Sequence, residues 1–217
     1  MTTRNVKRIS VLIVDDHPPI RAGLRAMIEK TSDICVLGEA ENGDEARRLL
    51  DELRPNIILL DLVMPGFSPS AFEKWARENY PETITLVLTS HDRDAYLAGM
   101  MDAGAAGYLD KNIHEERLIE AIRRAAHGES LFDEEQISRA LRWHKDVKEK
   151  WHNLSKREKE VLRLLAEGAN NKAISSRLHI ALKTVDKHLE RIYQKLEVTS
   201  RAEAVLWGIE NSSDFPY

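Results

Sequence analysis

Residues 57–66 read Ile-Ile-Leu-Leu-Asp-Leu-Val-Met-Pro-Gly. A short apolar run closed by an acid, here Asp61, is the pattern of a strand buried on both faces that ends at a polar tip. The pattern recurs on either side. Residues 9–14, Ile-Ser-Val-Leu-Ile-Val, run into Asp15, Asp16, His17 and Pro18, and residues 84–88 run into Thr89 and Ser90. Residues 36–37 read as a second strand and 107–109 as a short last one. Residues 20–30, 44–53 and 114–126 carry apolar residues at helical spacing. Strand, polar tip and helix in alternation predict an α/β fold, a doubly wound five-stranded parallel sheet covered on both faces. Such sheets bind ligands at the carboxyl ends of their strands, where Asp15, Asp16, Asp61, Thr89 and Lys111 would lie.

Those residue types make a chemically coherent set. An isolated aspartate after a strand is usually a turn or cap residue. Three carboxylates packed into one cleft are strained without a cation, and a hard divalent ion such as Mg²⁺ takes carboxylate, carbonyl and water oxygens. An aspartate can also accept a phosphoryl group as an acyl phosphate, a reaction that needs positive charge and a hydroxyl donor around the transferred oxygens. Lys111 and Thr89 are the candidates. His17, His91 and His114 show no ligand spacing, and none is read as metal-binding.

The last third of the chain has a different period. Ser155 and Glu158 form a capping box ahead of Val161, Leu162, Leu164 and Leu165, and Gly168 stops that helix. Asn170 caps a short helix to Leu178. Three residues later a longer helix runs from about Ala181 to Leu196, and a final one starts near Ser200 with Glu203 at the capping-box position. Short helix, tight turn and longer helix outline a helix-turn-helix within a small all-α domain of four helices. Gly128 and Glu129 end the preceding domain. The expected organisation is therefore 1–128, a partly helical linker at 129–152 with a helix over 134–145, and 153–217.

Bulk properties agree. The chain has 217 residues, 42% hydrophobic and 31% charged, which describes a folded soluble protein. No apolar run is long enough to cross a bilayer, and the polar start lacks a secretion signal, so the expected compartment is the cytoplasm, with no membrane partner. The single cysteine, Cys35, excludes an intrachain disulfide. Residues 1–152 hold 27 acids against 21 bases, whereas 153–217 hold 9 against 11, so the second part is better suited to a polyanion.

Four stretches, Val-Asp-Asp-His-Pro at 14–18, Leu-Leu-Asp-Leu-Val-Met-Pro-Gly at 59–66, Leu-Thr-Ser at 88–90 and Gly-Ala-Ala-Gly-Tyr-Leu-Asp-Lys at 104–111, resemble the flavodoxin-like receiver domains of bacterial two-component response regulators. The resemblance implies that Asp61 is the phosphoacceptor and that Asp15, Asp16, Asp61 and the Val63 carbonyl hold Mg²⁺. It also implies that Lys111 contacts phosphate, that Thr89 reports the modification, and that Tyr108 changes rotamer in response. Pro69 departs from the glycine that relatives commonly have, and is expected to stiffen or displace the loop at 67–70.

Residues 153–211 resemble the DNA-binding domain of the NarL/LuxR class. The carrying stretches are Leu154 to Leu162, Gly168 to Ile174, Lys183 to His188 and Lys195 to Arg201. Here the resemblance implies a helix lying in the major groove of double-stranded DNA, with Lys183, Thr184 and Lys187 placed for base or phosphate contacts. Asn171 and Lys172 would meet the backbone, while Val185, Leu189 and Ile192 pack. Asp186 and Glu190 depart from the lysines of some relatives.

The function implied is a phosphorylation-controlled, sequence-specific transcription regulator that takes its phosphoryl group from a sensor histidine kinase. Release of the recognition helix and homodimerisation follow phosphorylation in this reading. It is not an enzyme beyond slow autodephosphorylation. A Mg²⁺-dependent phosphatase is one alternative, but no second general acid or substrate lid is visible and the helical tail would go unexplained; phosphorylation-independent protein scaffolding is the other.

Overall fold

The computed structural model describes residues 8–211; residues 1–7 and 212–217, which the sequence reading assigns to the outer ends of the two domains, lie outside the described residues. The chain forms two compact units that divide between Leu141 and Arg142. The first contains β1 (Ile9–Val14), α1 (Pro18–Ile28), β2 (Ile34–Ala40), α2 (Gly43–Leu53), β3 (Ile57–Leu60), α3 (Pro69–Asn79), β4 (Ile84–Thr89), α4 (Asp94–Ala103), β5 (Gly107–Asp110) and α5 (Glu115–Ala126). The division falls inside α6 (Glu134–Asn153), and α7 (Lys156–Ala166), α8 (Asn171–Leu178), α9 (Leu182–Leu196) and α10 (Arg201–Glu210) complete the second unit. Among the described residues no helix is long and apolar enough to cross a membrane.

The five strands pair in the order β2-β1-β3-β4-β5, all parallel. Successive strand side chains point to opposite faces. Leu12, Val14, Ile58, Leu60 and Val87 accordingly pack with Leu50 of α2, Phe72 of α3 and Leu97 of α4. Their neighbours Val11, Ile13, Ile57, Leu59, Leu86 and Leu88 pack on the other side with Leu24 of α1 and Leu118 and Ile122 of α5. Each such buried side chain contributes about 1.5–3 kcal/mol relative to exposure, which is why the central strands are predominantly apolar. β2 lies at the sheet edge with only Ile34 and Ala40 buried. Its apolar signal is therefore weak, and the sequence shows only its middle.

The register positions the polar tips. Val14 pairs with Leu60, so Asp15 and Asp61 leave adjacent strands at one level. Main-chain bonds hold them there: the Asp61 N–H donates to the Val14 carbonyl at 2.8 Å and the Lys111 N–H to the Thr89 carbonyl at 3.1 Å.

Two helices of this unit, α3 and α4, are absent from the sequence reading. Pro69, expected in a loop, is instead the first residue of α3, behind the N-cap Ser68. A helix needs no partner for its first N–H groups, so the missing N–H of proline costs nothing there. The turn before it is made by Gly66, whose φ of +68° suits glycine.

In the second unit Ser155 and Glu158 form the expected capping box, and the buried Glu158 carboxylate also accepts from Lys195 Nζ at 2.7 Å. Ser200 accepts from the Glu203 N–H, but the Glu203 carboxylate takes the N–H of Thr199, one residue earlier than a capping box requires. Val161, Leu165, Ile174, Val185, Ile192 and Ala204 are the centre of the core. α6 runs to Asn153, eight residues beyond the end expected from sequence, because Trp143, Val147 and Trp151 join this core. Trp151 stacks on Trp207 with ring centroids 6.4 Å apart.

Candidate functional site

Asp15 and Asp61 are almost fully buried at the ends of β1 and β3. Lys111 Nζ reaches both, 2.7 Å from Asp15 Oδ2 and 2.8 Å from Asp61 Oδ2. The remaining oxygens are held by backbone: Asp61 Oδ1 accepts from the Leu62 N–H and Asp15 Oδ1 from the His17 N–H, each at 2.8 Å. Burial alone would depress the Lys111 ammonium, yet its bonds to Asp15 and Asp61 and their charges outweigh burial and hold its pKa above the usual lysine value. Arg21, which sequence reasoning missed, donates from Nη1 to the Asp15 carbonyl at 2.6 Å. It lies one turn into α1, where only the fold brings it back to the strand end.

Asp16 completes the acidic group. Its Oδ1 is shielded from solvent and makes no hydrogen bond, although His17 Nδ1 lies 2.7 Å away. Asp15, Asp16, His17 and Asp61 each offer one ligand atom within 4.8 Å of the others. His17, given no such place by its spacing, joins the cluster because it is the N-cap of α1 and its ring lies against both preceding carboxylates. A buried carboxylate oxygen with an unspent lone pair among hard oxygen donors fits a divalent cation. Val63, whose carbonyl is the other expected ligand, lies in the loop between β3 and α3 with an exposed side chain.

Thr89 and Tyr108 are brought into one hydrogen-bonded chain through His91. Buried Thr89 accepts at Oγ1 from the His91 N–H at 3.2 Å, and the Tyr108 hydroxyl donates to the His91 carbonyl at 2.5 Å. Burial, then the nearby Asp92 charge, raise the Tyr108 phenol well above its ordinary pKa, keeping it a neutral donor. The start of α6 is fastened to the same loop. Arg139 forks onto Asp92 at 2.7 and 2.9 Å and bonds Asp94 through Nε at 2.8 Å, while Gln136 Nε2 donates to the Tyr108 carbonyl at 2.9 Å. Neither Arg139 nor Gln136 carries a sequence signal for this role beyond its place on a helix.

On the second unit, Lys172, Lys183 and Lys187 are exposed and, among the described residues, paired with no carboxylate. Thr184 is half-buried in the first turn of α9. Val185, Leu189 and Ile192 face the core, so the outer face of α9 presents Lys183, Asp186, Lys187 and Glu190. Asn171 does not project freely: its side chain is bonded to both Asp186 and Arg201.

Comparison with known proteins gives this pairing of units a context. The family description "Response regulator receiver domain" matches residues 11–123, and "Bacterial regulatory proteins, luxR family" matches 152–207. The response regulator protein VraR of Staphylococcus aureus is 35% identical over 204 residues, spanning 94% of this chain and 98% of the relative. Among solved structures, ChrA, a response regulator of a heme-sensing two-component system, is 31% identical with a TM-score of 0.55, covering 94% of this chain and 98% of its own. RcsB of Salmonella enterica serovar Typhimurium, solved on promoter rprA with the phosphomimetic BeF3⁻, is 28% identical with a TM-score of 0.59, covering 92% and 98%. With the two family matches in tandem and a relative aligned nearly end to end, the chain belongs to the bacterial two-component response regulators of the NarL/LuxR family, phosphorylation-controlled DNA-binding regulators of transcription.

Proposed function

We propose that Asp61 is the residue phosphorylated and that its modification controls binding of α9 in the major groove of promoter DNA. The observation that carries this reading is Lys111 Nζ bridging the buried Asp15 and Asp61, beside an Asp16 oxygen that lacks a partner. Asp15, Asp16, Asp61 and the Val63 carbonyl would hold Mg²⁺, which neutralises charge on the transferred phosphoryl oxygens when bound.

A sensor histidine kinase is the donor. The N–P bond of its phosphohistidine breaks as a bond forms between phosphorus and an Asp61 carboxylate oxygen, and the imidazole departs with the electron pair. Lys111 then exchanges a carboxylate for a phosphoryl oxygen. Thr89 uses only an acceptor lone pair toward His91, so its hydroxyl proton is available to the phosphoryl group. Movement of Thr89 is felt by Tyr108 through the two ends of the His91 residue, and by α6 through Arg139 and Gln136. The pocket is a switch with at most slow hydrolysis of its own acyl phosphate.

Lys183, Thr184 and Lys187 would contact bases or phosphates, and Lys172 with the start of α8 the backbone. Leu206 and Ile209 on the exposed face of α10 offer a surface for pairing two copies over two half-sites. The protein acts in the cytoplasm, where promoter DNA lies. Selection from genomic DNA, with and without acetyl phosphate and Mg²⁺, tests the reading. Binding and oligomeric state should change with the donor in the wild type and not in Asp61→Asn; equal behaviour in all samples would overturn it.

A further inference from the structure

The acid on the groove-facing side of α9 is already committed. Asp186, in the second turn, accepts at Oδ1 from Asn171 Nδ2 at 2.8 Å. Asn171, the first residue of α8, accepts at Oδ1 from Arg201 Nη1 at 2.9 Å, and Arg201 Nη2 donates to the Ala169 carbonyl at 2.6 Å. One carboxylate, one amide and one guanidinium thus join α9, the start of α8, the first residue of α10 and the turn before α8.

We infer that Asp186 is a positioning residue for DNA binding: it sets the Asn171 amide and the leading end of α8, and does not read a base. An amide between opposite charges has one good orientation. Its oxygen faces the guanidinium and its NH₂ faces the carboxylate; a flip would set acceptor against carboxylate and donor against guanidinium. The second N–H of Asn171 and the backbone N–H groups of Asn171 and Lys172 remain for phosphate, the Ala173 N–H being capped by Asn170. Arg201, at the far end of the relay, also offsets the field of Asp186, which leaves Lys183 and Lys187 as the effective charges on that turn.

Glu190, one turn further along the same face, has no hydrogen bond or ion pair among the described residues. Its carboxylate is held by no neighbour among these residues and is wholly available to a cytosine amino group.

The inference rests on the DNA-binding reading, and the test separates the two. Full-length protein treated with acetyl phosphate and Mg²⁺ is used to select duplexes from a randomised library, and the wild-type winner serves as the probe for variants. Asp186→Ala should recover the same sequence with affinity about fivefold lower, the worth of one charge-assisted bond at a surface. Asp186→Asn, which keeps an acceptor oxygen, should bind within about twofold of wild type, and the double variant Asp186→Ala, Asn171→Ala should fall no further than Asn171→Ala alone. Without DNA, the Asn171 side-chain amide resonance should move in Asp186→Ala and stay in Lys183→Ala. A changed base preference in either Asp186 variant, full additivity with Asn171→Ala, or an unmoved amide resonance would each overturn the inference. A wild type that enriches no sequence overturns the DNA-binding reading and the inference with it.

Discussion

The two candidate sites, one in each unit, handle charge in opposite ways. In the first, Asp15, Asp61 and Lys111 are withdrawn from water and matched to each other at under 3 Å. In the second, Lys172, Lys183 and Lys187 stand in solvent without carboxylate partners among the described residues. A buried charge that loses its partner is costly, so a modification in the pocket forces its neighbours to rearrange. An exposed charge is screened and cheap to move, so it attracts a polyanion in a salt-dependent way without storing conformational information. One arrangement suits a switch, the other a DNA contact.

The largest test of this contrast is Asp61→Asn. Intact mass after incubation with acetyl phosphate and Mg²⁺ should show no phosphoryl adduct, and DNA affinity should cease to respond to the donor. An adduct retained on another residue would break the assignment of the switch to this pocket.

Lys111→Met should come next, since it leaves two buried carboxylates facing each other. Chemical denaturation without divalent cation should show a loss of about 3–5 kcal/mol, the range for stripping one partner from a buried pair. Mg²⁺ should return part of it by binding the folded state. A loss below about 1 kcal/mol would place the pair among surface ion pairs and erase the contrast.

Lys183→Ala and Lys187→Ala should behave as the exposed side predicts. Each should leave thermal stability almost unchanged, lower DNA affinity, and reduce the slope of log K against log salt by about 0.9 if it neutralises one phosphate. An unchanged slope assigns that lysine to solvent.

The smallest effect concerns Glu73, a carboxyl buried on α3 without a hydrogen bond of good geometry. Burial raises its pKa above the ordinary 4.5, with Thr85 and Arg77 pulling the other way. The folded state therefore keeps the proton longer than the unfolded chain. Stability from this group is fully present below pH 4.5 and declines as pH rises through the raised folded value. Glu73→Gln should match wild type at acid pH and exceed it near neutrality, as read from the urea midpoint across that range. A difference independent of pH would show that Glu73 does not titrate with folding.

Much of the architecture was legible because it is locally encoded. Apolar runs closed by Asp15, Asp61 and Thr89 mark strands buried on both faces, and Ser155 with Glu158 marks a helix start from four consecutive residues. β2 was only partly legible, since an edge strand needs few apolar residues. α3 was hidden by Pro69, whose usual meaning as a breaker reverses at the first position of a helix. α6 was cut short because Val147 and Trp151 read as part of a charged connector until the core they enter is known.

By itself, then, the sequence determined which residue types stand at the strand ends, where the helices of the second unit begin, and which family the chain resembles. These depend on side-chain period and on caps that act over a few residues. Only the tertiary structure decided who partners whom: Lys111 between Asp15 and Asp61, the His17 ring against Asp15 and Asp16, Arg139 on Asp92 and Asp94, and Asp186 on Asn171. Apart from the local turn that sets His17 against Asp15 and Asp16, each partnership turns on strand register or helix packing to within an ångström, because a hydrogen bond or close ion pair fails beyond about 3.5 Å.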